Sequence, residues 1–458
     1  MNLTYLKTDS RDVNTAYYTA ISDIVANIQP MHSSFYGGEI PVLMAGIGYS
    51  SPWTRDAAIN TINAAAYLIP YIAKNTLLSV LEQRDGRTYI GGEYWDAIIW
   101  VWGAWELYRA AGDKDFLHIA YDAAVNSLEF FEKTEFDPGD NLFRGAACYG
   151  DGVSAYPDIY ATPGESGIMD FAEQCRNLCV KNGVGIPMKA LSTNCLYYYA
   201  YILADKMADE LGASPRYAAK AAKLKQAING EFRNGEKGYY NYLKDPFGGC
   251  DAFEGLGNAF AVLFGIAEGE RARRVFENAP LTPYGIACLY PSFARYGSEY
   301  GRHSGTVWPH VQSFWADAAA KNGRFDLAMA EFRHLTAAAC RDGFFAEIYH
   351  PVTGEIYGGV QECEKQGISL WKSEIKQTWS ATGYLHIIFA DILGMSIGAD
   401  GVYFRPRLPE EISRLELSGL MLRGMTFNID IAAKSGRSAA EPTFVPFGTG
   451  EKSIRITL

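Results

Sequence analysis

The chain has 458 residues, 48% of them hydrophobic and 20% charged, which suits one large folded unit with a smaller addition. Its net charge is −11 and its pI is near 5.3. With no basic run, this argues against nucleic acid or an anionic membrane surface as a partner.

Apolar residues recur at helical spacing in twelve segments. They predict helices near 12–27, 55–67, 71–83, 93–112, 114–134, 190–212, 214–233, 253–266, 268–278, 305–322, 324–341 and 376–394. Several are punctuated by turn formers: Gly112-Asp113, Gly212 with Pro215, Glu268-Gly269 and Asn322-Gly323. Connections near 68–70, 113, 213, 267 and 323 are short and force antiparallel neighbours. Those at 28–54, 84–92, 135–189, 234–252, 279–304 and 342–375 are long. Hairpins with short turns at one end and long loops at the other suggest an all-α dominated (α/α)6 barrel, a six-hairpin toroid over residues 1–395. A solenoid would show a sequence signature at a fixed period, and none occurs. After about residue 395 the texture changes. Val402-Tyr403-Phe404, Leu415-Glu416-Leu417, Met425–Ile431 and Ile454–Leu458 are short β-rich runs among Pro and Gly, so 396–458 is expected to form a small β region packed on the barrel.

The apolar segments are broken by charge before 18 residues, so no membrane span is expected. Met1–Asp9 lacks the basic and apolar regions of a signal peptide. The eight cysteines are scattered. Cys175 and Cys179 stand at helical spacing with no second pair and no nearby His, which suggests free thiols in a reducing cytoplasm rather than a zinc site. No metal and no cofactor is expected: the chain has no H-x-x-x-H, no phosphate loop after a strand and no G-x-S-x-G.

Polar and aromatic residues cluster in the long loops or at the helix starts after them. Trp53-Thr54-Arg55-Asp56 and Glu93-Tyr94-Trp95-Asp96 are expected to open the second and fourth helices. Ser166 to Asp170 lies in the longest loop, and Asp251 and Glu254 close another. Arg302-His303 through Trp308-Pro309 is expected to open the tenth helix. Glu347 sits in the turn-rich stretch Gly343–Gly359, ahead of Gln377-Thr378-Trp379-Ser380. A hairpin ring would bring these to one mouth, and a concave site of aromatics and carboxylates suits a small carbohydrate. Glycoside hydrolysis needs one proton-bearing carboxyl and a second carboxylate, with no cofactor. Residue types alone do not choose among Asp56, Asp96, Glu165, Asp170, Glu347 and Glu374. Each has an ordinary reading as a cap, a turn residue or a solvated charge.

At these motifs the chain resembles the six-hairpin glycosidases, in particular glycoside hydrolase family 63 and the amylo-α-1,6-glucosidase and mannosylglycerate-hydrolase-like group. W-T-R-D at 53–56 is similar to the family's W-x-R-D. D-A-I-I-W at 96–100 and G-D-K-D-F-L at 112–117 look like its D-A-x-L-W and G-D-x-x-F-L. G-I-M-D at 167–170 is similar to the segment that carries the general acid. G-T-V-W-P at 305–309, A-E-I-Y-H-P-V-T-G-E at 346–355 and Q-T-W-S-A at 377–381 complete the order. The resemblance implies an inverting, exo-acting hydrolase of a terminal sugar, most simply an α-glucoside, with Asp170 as general acid and Glu347 as base. It implies that Trp53, Arg55, Asp56, Trp95, Asp96, His303, Trp308, Gln377 and Trp379 hold the sugar. Ile168 and His350 depart from the common pattern. A glycoside phosphorylase on a similar barrel is the nearest alternative, and a sugar epimerase is a more distant one.

Overall fold

The computed structural model describes residues 3–33, 35–161, 164–179, 185–363, 367–433 and 441–458. Among these, thirteen helices carry the fold. They are α1 (Arg11–Ala26), α2 (Thr54–Asn60), α3 (Pro70–Ser79), α4 (Ile99–Ala111) and α5 (Lys114–Thr134). A short α6 (Ile168–Gln174) follows, then α7 (Leu191–Leu211), α8 (Ala218–Glu231) and α9 (Gly255–Leu263). The rest are α10 (Glu270–Asn278), α11 (Pro309–Lys321), α12 (Phe325–Asp342) and α13 (Thr378–His386). α2 and α13 each run on into a wider π-type turn, Thr61–Ala65 and Ile387–Ile392.

All twelve expected helices are present, and local chemistry sets their limits. Gly112, Gly212 and Gly343 take the left-handed conformation just past α4, α7 and α12. Asp113 caps α5 by accepting from the Phe116 amide at 3.0 Å. Helices α2, α4, α7, α9, α11 and α13 pack each on the next, and α13 packs back on α2. Six helices therefore form a closed circuit. Their partners in sequence lie outside it: α3 on α4, α5 on α7, α8 on α7, α12 on α11, and α1 on α13. The inner positions are buried nearly all round; eight of the nine α9 residues are buried, whereas the outer α10 buries only Ala272, Val275 and Phe276. Where α2 meets α4, a β-carbon on Gly103 would lie 2.9 Å from the Ala58 α-carbon, so glycine permits the approach.

Several helix boundaries differ from expectation, and three have a clear local cause. Residues 94–98 form turns, and α4 begins only at Ile99. The Glu93 carbonyl takes both the Asp96 and Ala97 amides, and Arg55 draws the carboxylates of Glu93 and Asp96 to one point. The stretch ahead of Pro309 is extended, with Val307 bridging Tyr349, and Pro309 occupies the first turn of α11. The third helix stops at Ser79, because Leu81–Arg84 pairs as a strand with Arg87–Ile90.

Beyond residue 395 the expected strands are present: Gly401–Phe404, Arg414–Leu422, Met425–Ala432 and Glu451–Thr457. One partner was not foreseen. Tyr5–Thr8, ahead of α1, pairs antiparallel with Arg414–Leu422, so the first strand joins the late sheet.

Candidate active site

The long loops meet over one end of the helical circuit and enclose a cavity of about 240 Å³. Its floor is aromatic. Trp308 and Trp379 stand 5.7 Å apart at 66°, with Tyr149 5.3 Å from Trp308. His303 stacks on Trp308 at 4.9 Å. The Trp308 indole donates to the Arg302 carbonyl at 2.9 Å. The Gln377 amide donates to the Ala45 carbonyl at 3.1 Å and accepts from the Trp379 indole at 3.2 Å. These bonds hold flat faces open to the cavity, as sugar binding requires.

One wall is Glu347, 2% exposed. Its carboxylate accepts from Arg302 Nη2 at 2.6 Å, from the Tyr49 hydroxyl at 3.1 Å and from the Glu374 amide at 3.3 Å. The stretch Gly343–Gly359 explains the placement. The Glu347 amide bonds the Glu374 carbonyl and the Ile348 amide bonds Ser373 Oγ. Gly359, at φ +73°, lies where a β-carbon would be 2.3 Å from the Arg302 α-carbon, so this turn can press Arg302 onto Glu347 only with glycine there. Glu374 itself lies against Gly46 and Gly48 and does not line the cavity.

The opposite wall is built around Arg55, at the start of α2. Its guanidinium bonds Glu93 at 2.6 Å, Asp96 at 2.8 Å and Asp151 at 2.9 Å, with Asp56 at 3.8 Å. One cation cannot neutralise four carboxylates, of which Asp56 and Asp96 are buried and Glu93 and Asp151 partly exposed, so they divide. Burial pushes Asp56 up to about 8, against the pull of Arg55 and with further push from Glu347 and Asp96. Burial and then Asp96 push Glu93 up to about 8. Burial also raises Asp151, but Arg55 and His303 outweigh it and hold that carboxyl well below the usual range. Burial lowers His303, although Asp151 opposes this. The wall therefore carries both protons and charge near neutrality.

Trp53, Arg55, Asp56, His303, Trp308, Glu347, Gln377 and Trp379 all line this cavity. Asp96 touches it only through Arg55. Trp95 is fully buried and faces an adjoining cavity. Asp170 lies in the first turn of α6, and its Oδ2 accepts from the Gly167 amide at 2.9 Å. Ser166 and Gly167 line the cavity, while Asp170 does not. Asp251 is exposed and paired with Lys237. Glu254 is buried beneath, where it accepts from the Ser192 amide, and burial pushes it up to about 8. Sequence reasoning did not single out Tyr49, Tyr149, Gln361 or Trp371, and gave Asp151 no part in sugar binding, yet all five belong to the lining. The carboxylates of the Asp137–Asp140 turn hold the Lys189 ammonium at 2.6–2.8 Å. Among the described residues no cluster suited to a metal ion occurs, and no helix is long and apolar enough to cross a membrane.

The model of the mannosylglycerate hydrolase MGH1-like glycoside hydrolase domain matches residues 98–380. The chain belongs to this family. Within this glycoside hydrolase family the match ends at Ser380, inside the Gln377–Ser380 motif that forms the cavity floor. A comparison with curated protein sequences found no match. Among solved structures, the chain resembles a GH78 rhamnosidase of Bacillus sp. GL1 at TM-score 0.59 and 16% identity, over 100% of this chain and 44% of that one. It resembles a structure described as a sialidase at TM-score 0.64 and 15% identity, over 93% of this chain and 38% of that one. The GH63 mannosylglycerate hydrolase of Thermus thermophilus, solved with glucose, matches at TM-score 0.60 and 15% identity, over 81% of this chain and 99% of that one. The chain thus spans less than half the length of the first two. At these identities the likeness is one of fold.

Proposed function

We propose that the chain is an exo-acting, inverting glycoside hydrolase that removes one terminal sugar, taken first as an α-glucoside, from a small glycoside. The closed helical circuit is read as an (α/α)6 barrel, with the catalytic unit over 1–395 and the β region over 396–458. One observation carries the reading. Glu347, held by three donors, shares a small aromatic-floored cavity with carboxyls that burial keeps protonated near neutrality. A cavity of about 240 Å³ is small for a ligand site, which favours one sugar over a chain.

In this mechanism Glu347 takes a proton from a water whose oxygen attacks the anomeric carbon. The bond from that carbon to the aglycone oxygen breaks, and a carboxylic acid protonates the leaving oxygen. Arg302 keeps Glu347 aimed, and Trp308 and Trp379 carry the sugar face. The resemblance selects Asp170 as the proton donor. Its segment forms the cavity wall at Ser166 and Gly167, and Asp170 would leave the Gly167 amide to reach the leaving oxygen. Glu93 is a second candidate for that step, because it already lines the cavity and holds a proton near neutrality.

Turnover of an alkyl α-glucoside should fall about 10²- to 10⁴-fold in Asp170→Asn and in Glu347→Gln. Fluoride leaves without a proton donor, so α-glucosyl fluoride separates the roles. The acid variant should still hydrolyse it and Glu347→Gln should not. If Glu93→Gln, and not Asp170→Asn, shows the acid pattern, the donor is Glu93. Near wild-type activity in Glu347→Gln would sink the base assignment and move it to Glu374. NMR of the fresh product reads the anomer; a retained anomer rules out inversion.

A further inference from the structure

A second cavity, of about 440 Å³, adjoins the first. The two share Trp53, Arg55 and Glu93, so they meet at these three side chains. Their linings differ. Beyond those three the second cavity is bounded chiefly by Ile90, Tyr94, Trp95, Phe130, Phe131 and Met169. Of its other polar groups, Asp96 is tied to Arg55, Thr54 Oγ1 donates to the Gly91 carbonyl at 2.8 Å, and Arg84 pairs with Glu82 and lies over the Phe130 ring at 5.8 Å; among the described residues of this lining only the Tyr94 hydroxyl and the Trp95 indole N–H are left without a partner. A second sugar lodged there would find only those two free groups, too few for its several hydroxyls, and each hydroxyl left unpaired would weaken binding. A flat apolar group would meet aromatic rings instead.

The position matters as much as the lining. Met169 lines the second cavity, while Ser166 and Gly167 of the same segment line the first. The segment that includes Asp170, and the side chain of Glu93, thus stand at the junction, where a leaving oxygen would be protonated. Trp53 stands at the same junction in a conformation that side chains rarely adopt, φ +36°, and it is 47% exposed. The Trp53 backbone is held by the α2 start. Thr54 anchors on Gly91, and a β-carbon on Gly92, at φ +93°, would lie 2.6 Å from Thr54 Oγ1.

Resting on the hydrolase reading above, we propose that the second cavity is the aglycone site and that it selects glycosides of an aryl or arylalkyl alcohol over disaccharides. Ethyl and 2-phenylethyl glycosides test it, because both release a primary alkoxide and differ only in the ring. With α-D-glucosides, α-D-mannosides and α-L-rhamnosides as probes, the 2-phenylethyl compound of whichever sugar is cleaved should have a KM about 10-fold lower, from burial of one ring. Phe130→Ala, at a half-exposed position, and Met169→Ala should each remove most of that gap without changing KM for the ethyl compound. Equal KM values in the wild type, or a gap untouched by both variants, would overturn the proposal while leaving the hydrolase reading intact. If none of the probes is cleaved, equilibrium binding followed by tryptophan fluorescence gives the same ranking. Tighter binding of the phenylethyl compound, lost in Phe130→Ala, would then uphold the site and count against hydrolysis. Equal binding would reject the site.

Discussion

At the scale of single residues, the site is governed by proton sharing around Arg55. Asp56 lines the cavity, is almost wholly buried and holds its proton up to about 8. The unfolded chain releases that proton near the ordinary value of 3.8. Between those two values the folded state binds the proton and the unfolded state does not, so this group's contribution to stability falls as pH rises. Asp56→Asn removes the titration. Relative to wild type, the variant should gain stability from about pH 4 to about pH 8, by up to ~1.4 kcal/mol per unit, and then level off. Paired urea unfolding curves across that range measure it; a gap independent of pH would place Asp56 back among ordinary carboxylates. Removing the guanidinium is a harsher change. Arg55→Met leaves Asp96 and Asp151 facing each other without their cation and should cost about 3–5 kcal/mol, read as a lowered urea midpoint together with lost turnover.

The residues that were legible in the sequence share a trait. Trp53, Arg55 and Asp56, or Trp308 with His303, or Gln377 with Trp379, sit within a few positions of each other at a helix start or on the approach to one. Local spacing therefore announces them. Asp151, Tyr49 and Trp371 stand alone in long loops, and only the meeting of distant loops makes them part of one wall. Tyr149 enters the floor through a left-handed turn, φ +57°, that no residue pattern advertised. Trp95 and Asp96 are close in sequence to the first cavity yet do not line it; both border the adjoining one, and Asp96 tethers Arg55.

At the scale of elements, periodicity identified every helix of the circuit but placed several ends wrongly. The misplaced start of α4 lies where a functional contact competes with helix geometry, at Glu93 and Asp96, whose side chains serve Arg55. The interlocking of α2 and α4 is invisible in a pattern of apolar letters, because it depends on the absence of a side chain at Gly103. Gly103→Val should therefore be destabilising by about 1–3 kcal/mol through forced separation of the two helices. Since α2 also carries Arg55 and Asp56, activity should fall along with the thermal midpoint. Gly212→Ala, at an αL position with open space around it, serves as a control. It should cost only about 1 kcal/mol and leave turnover alone.

At the scale of the whole molecule, the twelve expected helices and the late strands were legible from periodicity and composition, because both reflect long stretches of chain. The pairing of Tyr5–Thr8 with Arg414–Leu422 did not, since a four-residue strand has too little pattern to name its partner. Its energetic share is larger than its length. Leu6 is 1% exposed, and Asp9 accepts from the Ser413 and Arg414 amides. Deleting residues up to Asp9 should lower stability by about 2–5 kcal/mol and raise binding of a dye that reports exposed apolar surface. An unchanged thermal midpoint would show the strand to be dispensable.

That strand also sets an order of events during synthesis. It leaves the ribosome about 400 residues before its partner, an interval of roughly 20–80 s at ordinary elongation rates. Helix α1 waits too, because it packs on α12 and α13, and α13 is what closes the circuit against α2. The nascent chain must therefore hold these segments unpaired throughout that interval, and the loops around the cavity can converge only towards its end.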